Sequence, residues 1–171
     1  MNSETASLVE DITARVQRTV CAGDYPAIVG LHGERTLILS DYDYLLSWAT
    51  ALEFEIRTAA RAQAIATLRW VFAVPQVWYD DGETVQARPL FTAPLQSGET
   101  ETISWMSCDA DDGVDYGRVQ FARRPGGEPV FDDAEYFDYP IQALNRMPGA
   151  AMHRLLTAGI PDLAAHLPQR H

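Results

Sequence analysis

LRWVFAVPQVWY (68–79) is the stretch on which the fold turns. Leu68, Trp70, Phe72 and Val74 alternate with their neighbours, the period of a strand that turns successive side chains to opposite faces. Asp81-Gly82 follows at once, a residue pair that reaches positive φ cheaply and so favours a two-residue hairpin turn. Three more segments rich in Val, Ile, Thr, Phe, Tyr and Trp follow: TVQARPLFT (84–92), TETISWMSCD (100–109) and VDYGRVQFARR (114–124). Ser97-Gly98, Asp112-Gly113 and Pro125-Gly126-Gly127 punctuate them. Val85, Ala87 and Phe91 share one side of the second segment, Ile103 and Trp105 of the third, Val119 and Phe121 of the fourth. The spacing predicts an antiparallel sheet over 53–124. Pro75 and Pro89 lack the N–H that a ladder needs, so each predicts an edge position or a bulge.

Outward from the sheet, residues 1–52 read as mainly helical. Val9, Ile12, Val16 and Val20 recur at helical spacing between a Ser3 cap and Gly23. Asp24-Tyr25-Pro26 predicts a short helix closed by Gly33, and Thr36 to Leu39 a short strand. Ser40 predicts the cap of a third helix, with Asp41 and Asp43 in its first turn. Leu52, Phe54 and Ile56 alternate with Glu53, Glu55 and Arg57, which predicts a strand over 53–58, against an alanine-rich run (58–66) that suits a helix. Residues 125–171 read as a C-terminal extension with short helices in 141–147, 150–159 and 160–171. The whole is a single α+β domain: N-terminal helices on a curved antiparallel sheet, followed by short C-terminal helices.

VQRTVCAGDYPAIVGLHG (16–33), TLIL (36–39), SDYDYLLSWA (40–49) and the strands after them resemble the nuclear-transport-factor-2-like superfamily, including its polyketide-cyclase-like members, over residues 5–123. The resemblance implies a cone-shaped sheet with a pocket between sheet and helices, lined by aromatics. Many such proteins act through acid–base residues and many others only bind. The chain departs from the pattern after Arg124, where it adds its helical extension.

The 171 residues carry a net charge of −11, and all thirteen basic residues are Arg. That acidity disfavours phosphate backbones and anionic lipid surfaces, so neither nucleic acid nor membrane is expected as a partner. No lysine is present for Schiff-base or general-base chemistry. The N-terminus has neither the basic nor the apolar part of a secretory signal, and Cys21 and Cys108 are too few for a disulfide framework. A cytoplasmic location is expected.

Asp109-Ala-Asp-Asp-Gly-Val-Asp (109–115) has the oxygen-rich look of a calcium loop. Counted from Asp109, however, the fifth position is Gly113 and the twelfth Gln120, so the pattern fails and a solvated turn explains the residues. No metal and no cofactor is expected. For catalysis the candidates are His32, Asp41 and Asp43, if they face a pocket. Helix capping and a helix C-terminus explain the same three residues. Trp70, Phe72 and Trp105 are the expected pocket lining.

Charge patterning points elsewhere. From Glu99 to Asp138 there are eleven acidic residues against three Arg, which is −8 of the total −11. Asp109, Asp111, Asp112, Asp115, Tyr116, Asp132, Asp133, Glu135 and Tyr136 are the candidate partner-binding residues, since acids steer a basic partner and aromatics anchor it. Three readings stay open: a non-catalytic binding protein of inhibitor or immunity type that engages a basic protein; a small-ligand pocket protein or an isomerase, cyclase or hydrolase; and an assembly subunit that pairs with its own copy.

Overall fold

The computed structural model describes residues 1–90, 94–137, 139–140 and 147–159. Helix α1 (Ser3–Cys21) opens the chain, followed by strands β1 (Ala27–His32) and β2 (Thr36–Asp41) and helix α2 (Trp48–Ala64). Then come β3 (Arg69–Asp80), β4 (Val85–Arg88), β5 (Glu99–Asp109), β6 (Gly113–Arg123), β7 (Pro129–Phe131), β8 (Glu135–Phe137) and helix α3 (Ala150–Thr157). The strands form one curled antiparallel sheet in the order β2-β1-β3-β5-β6-β7, with β4 against β3 and β8 against β6. The fold is α+β.

β3 is the spine. Its residues from Trp70 to Trp78 are buried, which is why the segment reads as an almost unbroken apolar run. Val71, Ala73 and Val77 face α1, together with Ile103, Trp105, Val119 and Phe121. Trp70, Phe72 and Val74 face α2 and α3, together with Met106.

Pro75 holds an edge position without a bulge. Register runs unbroken from Arg69 opposite Asp109 to Tyr79 opposite Glu99. The Ala110 N–H bonds the Leu68 carbonyl, so the even residues of β3 turn their backbone groups toward β5 and the odd ones toward the other edge. On that edge β1 pairs as far as Ala73 and β4 begins at Val77. Pro75 falls in the gap, where no described strand needs its N–H.

α1 buries Leu8, Val9, Ile12, Val16 and Val20, each 2% exposed or less. Full burial of such side chains contributes about 1.5–3 kcal/mol apiece. The helix lies so close to β1 that a Cβ on Gly30 would strike the side chains of Ile12 and Leu8. Its cap is Asn2, which accepts from the Thr5 N–H at 2.8 Å, one residue before the Ser3 expected.

Several local expectations are corrected. Residues 27–32 are a strand: AIVGLH pairs with β2 and β3 on both edges, and that pairing outweighs the Pro26 and Gly33 helix signals. Ser40 and Asp41 belong to β2, and the next helix is capped by Ser47, whose side chain and that of Thr50 form a reciprocal capping box. Residues 53–58 lie inside α2, which buries Ala51, Phe54, Glu55, Thr58, Ala59 and Ala62 at helical spacing. Residues 1–52 are therefore mixed, and the sheet takes strands from both sides of α2. The expected two-residue turns are longer: 81–84 joins β3 to β4 and 110–112 joins β5 to β6. Carboxylates organise the first of these, Asp80 accepting from Gly82 N–H and Asp81 from Glu83 and Thr84 N–H. Phe91 and the helical expectations for 141–146 and 160–171 lie outside the described residues.

Candidate functional site

The acidic region divides into residues spent inside the fold and residues left at its surface. Five hydrogen bonds converge on Asp109. Asn2 Nδ2, Thr5 Oγ1 and Arg69 Nε donate to Oδ2, and the N–H groups of Asp111 and Asp112 to Oδ1. Burial would raise this carboxyl, but the donors from Asp111, Asn2, Arg69 and Thr5 hold it well below the usual carboxylate range. Arg69 also reaches Glu4 at 2.8 Å, so the cluster ties the start of α1 to β3 and β5. Asp115 lies 4.0 Å from the N-terminal amine. Glu99 pairs with Arg88, Glu101 with Arg123 and Glu135 with Arg118. Tyr116 packs on the α2 and α3 face, and burial raises its hydroxyl.

Asp111, Asp112, Asp132 and Asp133 remain exposed and make no ion pair among the described residues. They fall in two places. Asp111 and Asp112 cap the β5–β6 turn, beside the first turn of α1. Asp132 and Asp133 join β7 to β8 along the far edge of the sheet, level with residues 119–120 of β6. At about 3.3 Å per residue along β6, the two places are roughly 20 Å apart.

The far edge also carries aromatics on a built support. Tyr136 is 53% exposed, yet its ring meets Trp105 edge-on with centroids 5.2 Å apart. Gly117 lies between them in the ladder, opposite both residues. A Cβ there would fall into the Trp105 ring and the Glu135 carbonyl. Tyr139 follows at 66% exposure and Val130 at 42%. On the opposite face, the Arg118 guanidinium sits between the rings of Trp78 and Phe137, 5.4 and 5.8 Å from their centroids.

The sheet separates the expected pocket residues. Trp70 and Phe72 face α2 and α3, and Trp105 faces α1. A cavity of about 10 Å³ lies between Trp78, Tyr116, Phe137 and Met147, room for roughly one water. A broader open depression of about 270 Å³ is bordered by Tyr79, Gln86, Gln96 and Glu99. The catalytic candidates stand apart too. His32 ends β1 at the hairpin, while Asp41 lies at the other end of β2, opposite Ala27. Asp41 is engaged by Arg57 Nη2 at 2.8 Å and accepts from the Asp43 N–H. Among the described residues, no group of three or more His, Cys, Asp and Glu is arranged to hold a metal ion. No described helix is long and apolar enough to cross a membrane. Cys21 is exposed; Cys108 is half-buried, and burial together with Asp109 raises its thiol.

A buried carboxylate absent from the sequence-based candidates joins α2 to α3. Glu55 is 3% exposed. Its Oε1 accepts from the N–H groups of Ala151 and Met152 at 3.0 and 3.2 Å, and its Oε2 from the Tyr44 hydroxyl at 2.7 Å. It therefore caps α3, whose N-cap residue, Gly149, has no side chain to do so. Burial raises the Glu55 carboxyl against these hydrogen bonds, and Tyr44 is raised well above its ordinary value by burial and by Glu55.

Comparison with protein-family models, with curated proteins and with solved structures finds no significant match to this chain.

Proposed function

We propose that this chain is a non-catalytic binding protein, of inhibitor or immunity type, that engages a basic protein partner along the β7–β8 edge. The observation that carries this reading is the juxtaposition of Asp132 and Asp133, exposed and unpaired among the described residues, with the exposed Tyr136 on the adjoining strand β8. Unpaired acids on an exposed edge raise the encounter rate with a cationic surface and disfavour acidic competitors. A tyrosine already held against Trp105 loses little freedom on docking, which suits an anchor. Asp109, Asp115 and Glu135 are spent on contacts within the fold rather than on the partner. In this reading the protein works in the cytoplasm, with nucleic acid and membrane disfavoured by its charge.

The test is capture from the source cells at low ionic strength, with the wild-type chain and the Asp132→Arg/Asp133→Arg variant compared side by side. The expected result is a basic protein that the wild type retains, that salt releases, and that the variant loses. Equal retention by both chains refutes the proposal.

A further inference from the structure

The other edge of the sheet is built differently, and we propose that it joins two copies of this chain through an antiparallel β2–β2 seam. β2 has no partner beyond β1 among the described residues. Its backbone directions follow from the hairpin. Gly33 N–H bonds the Arg35 carbonyl, so Arg35, Leu37, Leu39 and Asp41 turn their backbone groups to β1 while Thr36, Ile38 and Ser40 turn theirs outward.

An exposed edge strand is normally guarded by charge, proline, brevity or a bulge. The β7–β8 edge has such guards: strands of three residues, Pro129, Asp132 and Asp133. TLILS (36–40) has none. β2 presents six residues of regular strand, rich in aliphatic side chains, with charge only at its last residue, Asp41, and just before its first, at Arg35.

Those end charges select the register and the occupant. Two-fold pairing about Ile38 sets Ile38 opposite itself, Thr36 opposite Ser40, Leu37 opposite Leu39 and Arg35 opposite Asp41. The outward groups of Thr36, Ile38 and Ser40 then bond one another. Leu37 and Leu39 lie on the α2 face and are only half-buried in the single chain, so they extend that core across the seam. Arg35 is exposed and forms no ion pair among the described residues. Across the seam it faces Asp41, whose Oδ2 already accepts from Arg57 within the chain, on the same face, so the two guanidinium groups share one carboxylate. Leu46 and Trp48, 60% and 61% exposed, lie where the chain returns from β2 into α2. The net charge does not oppose the pairing strongly, because most of it sits from β5 onward, toward the opposite edge.

Sedimentation of the full chain at its highest attainable concentration, with Ser40→Pro alongside, tests the seam. The Ser40 N–H points outward, so proline removes an intermolecular donor and leaves the β1 ladder intact. By symmetry two such bonds are lost, which is expected to raise the dimer dissociation constant by about 10- to 100-fold. Register is read separately in a Cys21→Ser background, where Ile38→Cys is expected to give a disulfide-linked dimer on mild oxidation and Leu37→Cys to remain uncrosslinked. A monomeric wild type, a dimer that Ser40→Pro leaves unchanged, or equal crosslinking at both positions overturns the inference.

Discussion

Replacing Glu55 separates what its charge does from what its hydrogen bonds do. Glu55→Ala leaves three donors without their acceptor: the N–H groups of Ala151 and Met152 and the Tyr44 hydroxyl. Stranding a buried donor costs about 1–3 kcal/mol, and removing a desolvated carboxylate returns part of that. The expected net loss is about 2–4 kcal/mol, or a fall in Tm of roughly 5–15 °C for a chain of this size. Glu55→Gln keeps a carbonyl oxygen for the two backbone N–H groups and turns an amide to the Tyr44 oxygen, so it is expected to stay within about 1 kcal/mol of wild type at neutral pH. The pH dependence has a definite sign. Because the folded Glu55 carboxyl is raised above its ordinary 4.5, its contribution is full below that value and is lost as pH rises through the folded pKa. The stability of Glu55→Gln relative to wild type should therefore climb as pH rises above 4.5 and level off once the folded carboxyl is ionised. Urea unfolding of the three chains across that range measures it, with amide exchange of residues 150–157 reporting on α3. Equal loss in Gln and Ala, or a Gln advantage that shrinks with rising pH, refutes the capping account.

Asp109→Ala should free the start of α1. Losing charge-assisted bonds from Asn2, Thr5 and Arg69 is expected to cost about 2–3 kcal/mol, with exchange rising first over residues 3–9. Because the folded Asp109 carboxyl is depressed, its contribution holds above its ordinary 3.8 and is lost only as pH falls below that value toward the folded pKa. A wild-type chain that loses the α1 contact between pH 5 and pH 6 contradicts this. Gly117→Ala should cost about 1–3 kcal/mol through overpacking and change the environment of Trp105, seen in near-ultraviolet circular dichroism. An unchanged spectrum and Tm count against the Trp105–Gly117–Tyr136 stack.

The three long strands and the short β4 were legible because alternation and turn residues agreed at each step from Arg69 to Arg123. β1 was not, because AIVGLH (27–32) is enclosed on both faces and shows no alternation, while Pro26 and Gly33 imitate helix ends. α2 was obscured by chance alternation in LEFEI (52–56). Its real signal was the Ser47–Thr50 capping box and the run of alanines that supplies its buried face. Among the candidate site residues, charge was visible but its use was not. Asp109 looks like any turn acid until Asn2, Thr5 and Arg69 are brought to it from 40 to 107 residues away. Glu55 had no local mark at all, since the backbone it caps lies 96 residues further on. Asp132, Asp133 and Tyr136 were identified from composition, but their separation from Asp111 and Asp112 depended on where β7 and β8 pair along β6.

That separation permits the most direct test of the binding account. Capture of the basic partner is measured for wild type, for Asp132→Arg/Asp133→Arg and for Asp111→Arg/Asp112→Arg, two reversals of identical charge on different ends of β6. Loss in the first variant with retention in the second is the predicted result. Loss in the second with retention in the first, or equal loss in both, contradicts an interface at the β7–β8 edge.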